Sequence, residues 1–182
     1  DEFVPIFYRK KAVELIDWGG FWLSETPDVA ASQGWDSTVP RIATWAVFKH
    51  LASGKKFFFI NTHIDVESKV APVKSMEVII SKMSELNPEN LPMLLTADFN
   101  KQIDSNIFDG VKKFMTNVRL SAPVTDSKHS YTGFGTATPY IVDHIFCTGF
   151  KPLKFETIDK VYEKITYISD HYPIVGKLEY VK

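Results

Sequence analysis

Asp98 and Asn100 are the residues of this chain whose types and spacing first suggest chemistry. They follow two leucines and are separated by Phe99. A short apolar run of this kind predicts a buried strand over residues 92–97. If the chain stays extended, side chains two apart project to the same face, which places a carboxylate beside an amide at the strand's end. An isolated Asp-x-Asn is more often an Asx turn that ends a strand.

Three further stretches have the same form, each an apolar, β-prone run with a His or Asp where a strand ends or is interrupted. These runs are residues 57–63, 140–146 and 167–173, and they carry His63, Asp143, Asp170 and His171. Histidine titrates near neutrality, and a carboxylate partner fixes its tautomer and raises its basicity. Four strands that deliver such groups favour one shared acid–base site over coincidence.

The surrounding pattern predicts the elements that must hold these residues. Apolar runs predict paired strands over 4–9 and 12–17, a bulge and short strand over 18–23, and strands over 42–50, 57–62, 140–147 and 177–181. Apolar residues every three or four positions predict an amphipathic helix over 70–86, and residues 105–114 read as a short helix. Glycine, proline and polar residues predict long loops over 24–40 and 121–138. The sequence therefore indicates a sheet-rich α/β domain.

Taken in order, the motifs resemble the endonuclease/exonuclease/phosphatase superfamily, which is related to the DNase I fold. The family's Asn-Thr-His, its Asp before an Ile/Phe strand and its terminal Ser-Asp-His-Tyr-Pro occur here in the same order. Its usual Gly-Asp-Phe-Asn run has Ala97 in place of the glycine. Each motif is weak alone, but together they span residues 61–173 and are specific.

The resemblance implies a DNase I-like four-layer α/β sandwich, with residues 1–182 forming a single domain. The family also carries an Asn and a metal-binding Glu in its first third, and neither can be matched in this sequence. We therefore interpret the chain as the C-terminal two-thirds of a family member, N-terminally incomplete. Missing strands would uncover a sheet edge, so self-association through that edge is an expectation.

The resemblance also implies a hydrolase that directs water onto the phosphorus of a phosphoester. His171, paired with Asp143, would contact the scissile phosphate or act as the base. Asp98 would orient or deprotonate the attacking water. Asn100 would donate to a non-bridging oxygen, and His63 would stabilise charge near the leaving group. The alternative is a catalytically silent binding or scaffold module that keeps the fold.

A divalent cation, Mg²⁺ or Mn²⁺, is the cofactor that the resemblance implies. Asp170 is the best metal ligand left in the sequence, with Asp98 and Asn100 beside it. Magnesium gives up its water reluctantly and needs several hard oxygen ligands. With the family's Glu absent, we expect this chain to bind magnesium weakly and to be inactive or weakly active, whereas a longer parent would hydrolyse phosphoesters.

Three residues in the predicted loops are candidates for substrate binding. Arg41 precedes a strand, where a guanidinium can fork onto a phosphate. A salt bridge from Arg41 to Asp36 or Glu25 is an equal alternative. Tyr131 and Phe134 lie in a glycine-bearing loop and can form a substrate wall, or they can simply shield a strand edge.

Composition narrows the substrate without naming it. The 182 residues carry a net charge of -1 and have no polybasic run, which disfavours long duplex nucleic acid. The classes left are small molecules, lipid headgroups and exposed nucleic acid. No apolar run is long enough for stable membrane insertion, so we expect a soluble protein, with export left open. Zinc is a poor fit, because there is one cysteine, Cys147, and no His pair at helical or zinc-finger spacing. The lack of a Gly-x-Ser-x-Gly elbow excludes a serine nucleophile of that kind.

Overall fold

The computed structural model describes residues 3–181. Its main sheet has six strands, in the spatial order β1-β2-β3-β4-β6-β5. These strands are β1 (Val13–Trp22), β2 (Ile42–His50), β3 (Lys56–His63), β4 (Met93–Asp98), β5 (Thr116–Asn117) and β6 (Asp143–Thr148). The two helices are α1 (Ala71–Leu86) and α2 (Val118–Ser121), with single 3₁₀ turns over Asn106–Phe108, Val111–Lys113 and Gly133–Gly135.

Strand direction decides which ends of the sheet meet. β1, β2 and β3 form an antiparallel meander, whereas β3 and β4 run parallel and are joined through α1. A parallel pair needs such a crossover, because a tight turn cannot return the chain in the same direction. β6 then pairs with β4 in the antiparallel sense. The C-terminal ends of β3 and β4 therefore lie beside the N-terminal end of β6.

A second, two-stranded sheet consists of β7 (Phe150–Thr157) and β8 (Ile174–Tyr180). The chain passes from β6 into β7 through Gly149, whose φ of +75° favours glycine. A Cβ on Gly149 would lie 2.8 Å from Pro92. The turn therefore depends on glycine both for its backbone angle and for its close contact.

Each face of the main sheet has its own core. On one face, Phe58 and Leu95 pack with Met76, Ile79 and other apolar residues of α1. On the opposite face, Ile145 and Cys147 pack with Phe155 of the second sheet. Alternation along the strands produces this division, because successive side chains point to opposite faces. Residues 3–181 thus supply a helical layer, the six-stranded sheet and the small sheet beneath it.

The structure corrects several predicted elements. Residues 4–9 do not form a strand, and β1 runs on through residues 18–22 instead of stopping at a bulge there. The register shift in β1 lies between Leu15 and Asp17. Residues 105–114 form two 3₁₀ turns, and β5, α2 and β7 were not predicted. No helix within residues 3–181 is long and apolar enough to cross a membrane.

Candidate active site

Three of the predicted residues are direct neighbours across the sheet. His63 is paired with Asp98 in the β3–β4 register, and Asp98 is paired with Asp143 in the β4–β6 register. Each residue is the last of β3 or β4 or the first of β6. Strand pairing alone therefore brings an imidazole and two carboxylates to the same edge of the sheet.

His171 reaches this edge from the segment just before β8. Its Nδ1 lies 2.8 Å from Asp143 Oδ2, and because a carboxylate only accepts, Nδ1 is the donor. Its Nε2 lies 3.6 Å from Asp98 Oδ2, and His63 Nε2 lies 3.3 Å from the same oxygen. One oxygen of Asp98 is therefore positioned between two imidazoles, with Asp143 behind one of them.

Asn100 reaches the same site through a turn and not through an extended strand. Its φ is +51°, a left-handed angle that asparagine tolerates better than most residues. The Asn100 backbone N–H donates to Asp98 Oδ1 at 2.9 Å, as in an Asx turn. Its Nδ2 donates to the Ile64 carbonyl at 2.9 Å and lies 3.0 Å from His63 Nε2. The Asx turn that was the alternative interpretation therefore forms, and it still places the Asn100 side chain beside His63 and Asp98.

The electrostatics of Asp98 and His171 are coupled. Burial and the neighbouring charge of Asp143 raise the pKa of Asp98, and the Asn100 N–H and the two histidines offset only part of that rise. Burial disfavours the charged form of His171, but the hydrogen bond and charge of Asp143, with Asp98 and Asp170, raise its pKa overall. Burial and Asp143 therefore disfavour the charged form of Asp98, whereas Asp143 favours the protonated form of His171 beside it.

A cavity of about 640 Å³ opens onto these groups. Of the predicted residues, those that line it are Arg41, His63, Asp98, Asn100, Tyr131, Asp170 and His171. Asp143 lies behind His171, and the ring of Tyr131 contacts the His171 ring at 5.1 Å between centroids. Phe134 is 57% exposed and is not part of the lining.

Several solved structures are similar to this chain in sequence and in fold. No protein-family profile matches the chain. A solved mannosyl-6-phosphatase of Bacteroides thetaiotaomicron is 32% identical with a TM-score of 0.86, and the match covers 95% of this chain and 69% of that one. An endonuclease/exonuclease/phosphatase of Bacteroides vulgatus is also 32% identical, with a TM-score of 0.87 and coverage of 96% and 69%. The chain belongs to the endonuclease/exonuclease/phosphatase family.

The predicted fold class is thereby confirmed: the chain has the DNase I-like α/β fold of this family. Among curated proteins, the uncharacterized protein L388 of Acanthamoeba polyphaga mimivirus is 29% identical over 177 residues. That match covers 85% of this chain and 62% of the viral protein. The chain thus spans less than two thirds of the length of that relative.

Arg41 lies beside an acidic side chain other than the two predicted, and its contact with a phosphate stays a prediction. It lines the cavity, and its Nε lies 3.6 Å from Asp65 Oδ2, so its acidic neighbour is neither Asp36 nor Glu25. Both side chains are almost fully buried. A guanidinium held by a buried carboxylate keeps a fixed direction, which suits recognition of a phosphate at the cavity wall.

Sequence reasoning missed Asp65 and several lining residues. Asp65 lies two residues after His63, in a stretch with no catalytic motif, and no sequence signal marks it as the partner of Arg41. Lys101, Gln102 and Asp104 line the cavity because the turn at Asn100 carries the chain around its rim. These three residues directly follow the Asp98-Phe99-Asn100 motif, and that closeness in sequence could have marked them as candidates for the cavity wall.

A divalent cation fits the chemistry of the site's donors. Within residues 3–181, the His and acidic side chains close enough together to share an ion are Asp98, Asp143 and His171. Two carboxylates provide the hard oxygens that Mg²⁺ and Mn²⁺ prefer, and their mutual repulsion is what a cation would relieve. Asp170 lines the same cavity but is outside that group of three.

His144 follows Asp143 but has a different environment. As predicted from strand alternation, it points away from the site, is 1% exposed, and packs against Phe99, Phe108 and Phe146. Burial lowers the pKa of His144 to about 4. Its ring is therefore neutral at physiological pH.

Proposed function

We propose that this protein hydrolyses phosphoester bonds by attack of water on phosphorus. The observation that carries the proposal is the position of Asp98, whose Oδ2 lies 3.3 Å from His63 Nε2 and 3.6 Å from His171 Nε2. A carboxylate between two imidazoles at the wall of an open cavity can activate water while cationic or polarised groups meet the phosphate charge. The family membership agrees with this chemistry.

The contacts of each residue support a different proposed role. Asp98 accepts the proton of the attacking water, since its raised pKa makes it a stronger base than an ordinary aspartate. His171, held by Asp143, presents its Nε2 to the phosphate, and Arg41 supplies a fixed positive charge at the cavity wall. His63 lies where it can stabilise the leaving oxygen. Both hydrogens of the Asn100 amide face protein atoms, so its donation to a phosphate oxygen requires the His63 contact to open.

Mg²⁺ or Mn²⁺ would be held by Asp98 and Asp143, with Asp170 and Asn100 as further ligands from the same rim. A bound cation supplies charge neutralisation at phosphorus and polarises phosphate oxygens. The group of three offers only two anionic side chains, so we expect weak magnesium binding and low activity at micromolar magnesium. Millimolar magnesium should raise the rate.

A small phosphate monoester of a sugar is the substrate class we favour. The chain is similar to a mannosyl-6-phosphatase, and a cavity of about 640 Å³ matches the size of small-molecule sites. The net charge of -1 argues against long nucleic acid. Lipid headgroups and nucleic-acid ends are the competing classes, and self-association through the β1 edge stays a prediction.

The test measures product release from p-nitrophenyl phosphate, bis-p-nitrophenyl phosphate and mannose 6-phosphate, with magnesium, manganese or EDTA. We expect metal-dependent turnover that falls on the order of 10²-fold or more in His171→Ala, as for loss of an acid–base group. His50, the last residue of β2 and outside the lining of the cavity, gives the matched control, and His50→Ala should retain activity. No release by the longer parent protein from any ester at any metal concentration would instead favour the silent scaffold module, whereas no release by these 182 residues alone is the outcome expected if the family's N-terminal Glu is required.

A further inference from the structure

Residues 158–173 connect β7 to β8 and carry Asp170 and His171 to the candidate active site. In the described chain this loop contains turns and isolated bridges but no helix or strand. A loop of this length loses much conformational entropy when one of its side chains stays at a fixed distance from a strand. His171 Nδ1 nevertheless lies 2.8 Å from Asp143 Oδ2. The contacts that hold the loop in place are therefore part of what builds the site.

The chain from Ser130 to Thr132, which we name the bridging segment, lies between that loop and the start of β6. Its central residue, Tyr131, forms isolated antiparallel bridges with Tyr140 on one side and with His171 on the other. The Tyr131 N–H donates to the Tyr140 carbonyl at 3.0 Å. One short segment therefore pairs both with the stretch that leads into β6 and with the stretch that carries the active-site imidazole.

On the side of β6, the contact is made by the Ser130 side chain. Ser130 is 0% exposed, and its Oγ accepts from the Asp143 N–H at 3.1 Å and from the Val142 N–H at 3.3 Å. Its carbonyl accepts from the N–H of Tyr172, the residue after His171, at 2.7 Å. Ser130 thus contacts the backbone of Asp143 and the backbone next to His171 at the same time.

On the side of the loop, the contact is made by Thr132, which is buried. Its Oγ1 donates to the Asp170 carbonyl at 2.9 Å, and its backbone N–H donates to the same carbonyl at 2.8 Å. The Gly133 N–H adds a third donor at 3.2 Å. This carbonyl belongs to the peptide bond that joins Asp170 to His171, and a peptide unit is planar. The three donors therefore set the direction of the peptide that carries His171.

Neither Ser130 nor Thr132 lines the cavity of about 640 Å³ that opens onto Asp98. Both are buried and both hydroxyls contact backbone groups, so they do not meet a substrate there. Any effect on a reaction must pass through the residues that they hold. A displacement on the order of 1 Å at a reacting group costs about 10²-fold in rate, so the hydrogen bond from His171 to Asp143 depends on how firmly both backbones are fixed.

We propose that Thr132 is a positioning residue, whose hydroxyl holds the peptide between Asp170 and His171 so that the His171 imidazole stays hydrogen-bonded to Asp143. Ser130 fixes the same bridging segment to Asp143 from the other side. The effect on turnover rests on the proposed phosphoester hydrolysis, whereas the effect on the His171 imidazole does not. Thr132 is the residue to change, because within residues 3–181 its side chain makes one hydrogen bond and its backbone N–H stays in place.

Three variants of Thr132 separate its hydroxyl from its shape. Thr132→Val keeps the branched side chain and removes the donor, Thr132→Ala removes the donor without adding bulk, and Thr132→Ser keeps the donor. Thr157→Val is the matched control, since Thr157 is buried, donates through Oγ1 to Asp126 Oδ1 at 3.0 Å and does not line the cavity. Thermal unfolding of all four variants verifies that they fold, and Thr132→Ala keeps the test available if Thr132→Val does not.

The Nδ1–H proton of His171 reports the positioning without any turnover. A hydrogen-bonded N–H exchanges slowly with water, so ¹⁵N-labelled wild type in EDTA should show its NMR signal, assigned by its absence from His171→Gln. We expect the signal to broaden or disappear in Thr132→Val and Thr132→Ala and to persist in Thr132→Ser and Thr157→Val. A signal that is absent from the wild type, unchanged without the Thr132 hydroxyl, or equally weakened in Thr157→Val would overturn the proposal.

Kinetics with p-nitrophenyl phosphate and magnesium separate this proposal from the proposed function. In Thr132→Val and Thr132→Ala, kcat should fall about tenfold, the effect of one lost hydrogen bond at the upper end of its range, while KM stays within about twofold. Thr132→Ser should restore kcat. Hydrolysis with kcat unchanged in both variants would overturn the positioning role and leave the proposed function intact. A protein that hydrolyses no ester, yet loses the His171 signal in Thr132→Val, would support the positioning role and count against the proposed function.

Discussion

Two pairs of aspartates lie near the candidate active site, and they differ in what surrounds them. Asp36 and Asp65 belong to the loop before β2 and the segment after β3, whereas Asp98 and Asp143 end and begin neighbouring strands. Both pairs are close to residues of the cavity wall. Only the second pair has the environment of a reactive site.

The first pair is satisfied by donors. Asp36 accepts from the backbone N–H groups of Lys69, Val70 and Ala71 at the start of α1. It also accepts from the Ser68 hydroxyl. The Ser68 hydrogen bond is the largest influence on Asp36 and, with the backbone N–H groups, holds its pKa well below the usual range. Asp36 thus fixes the loop to the helix.

Asp65 shows the same principle in a buried position. Burial acts to raise its pKa, but hydrogen bonds from Ser68, Thr38 and Ser37 outweigh that effect and lower the pKa to about 2. The Arg41 guanidinium lies beside it. A carboxylate with this many donors is stable as an anion and has little tendency to take a proton.

Asp98 has the opposite balance. It accepts one backbone N–H from Asn100, is half-buried, and faces the charge of Asp143, so its pKa is raised. The two pairs therefore differ in the number of hydrogen-bond donors around each carboxylate, and we use that number to distinguish the structural aspartates from the proposed reactive ones.

The substitution Asp98→Asn is expected to have the largest effect, and it tests whether Asp98 is a reactive and not a structural carboxylate. Turnover of a phosphate monoester should fall by about 10²–10⁴, because the variant loses an acid–base group. The free energy of unfolding should stay equal or rise, since a half-buried charge beside Asp143 is removed while an oxygen remains for the Asn100 N–H. Steady-state kinetics and urea unfolding measure the two effects.

The control for that variant is Asp109→Asn, which removes one exposed charge away from the cavity. It should change neither quantity. If Asp98→Asn instead unfolded readily while keeping its turnover, Asp98 would belong with the structural pair.

The next largest effect is expected for Asp65→Asn. This variant should lower the free energy of unfolding by about 2 kcal/mol at pH 7, because buried charge-assisted hydrogen bonds are lost. The pKa of Asp65 is about 2 in the folded state and 3.8 ordinarily. Its anion therefore stabilises the fold above about pH 4, and this contribution disappears as the pH falls towards 2. Urea unfolding across that range should show the wild type losing its advantage over Asp65→Asn; a constant difference would contradict the assignment.

The sequence predicts the strands that carry the candidate site residues but not how those strands pair. The strands before His63 and Asp98 were predictable because continuous apolar runs bounded by polar residues mark buried strands. The motifs also placed His63 and Asp98 at the ends of these strands. The register that aligns His63, Asp98 and Asp143 depends on which strands pair, which is a long-range property that local patterns do not contain.

The structural pair was beyond sequence reasoning for a different reason. Asp36 and Asp65 bind backbone N–H groups and hydroxyls that become neighbours only when the loop folds over α1. Similarly, residues 4–9 look strand-like because they form an apolar run, yet they have no pairing partner in the described chain. An apolar run predicts contact with other apolar groups, whereas a strand also requires a neighbour for its backbone hydrogen bonds.

A further prediction tests how Asp143 controls the pKa of His171. Asp143→Asn should lower the pKa of His171, because the hydrogen bond and charge of Asp143 are the main influences that raise it against burial. NMR titration of the His171 ring in metal-free buffer measures this. Asp170→Asn removes a weaker, purely electrostatic influence, so its effect on the same pKa should be smaller. Equal effects would mean that the Asp143 hydrogen bond contributes nothing specific.

The smallest effect is expected from Asp36→Asn. Asp36 is exposed, and asparagine keeps one oxygen that can accept from the first turn of α1, so only part of the cap is lost. The melting temperature should fall, by less than in Asp65→Asn, and turnover should match the wild type because Asp36 does not line the cavity. Differential scanning calorimetry and the monoester assay test both statements. A drop in turnover without a drop in melting temperature would place Asp36 in the reactive class, against the donors that surround it.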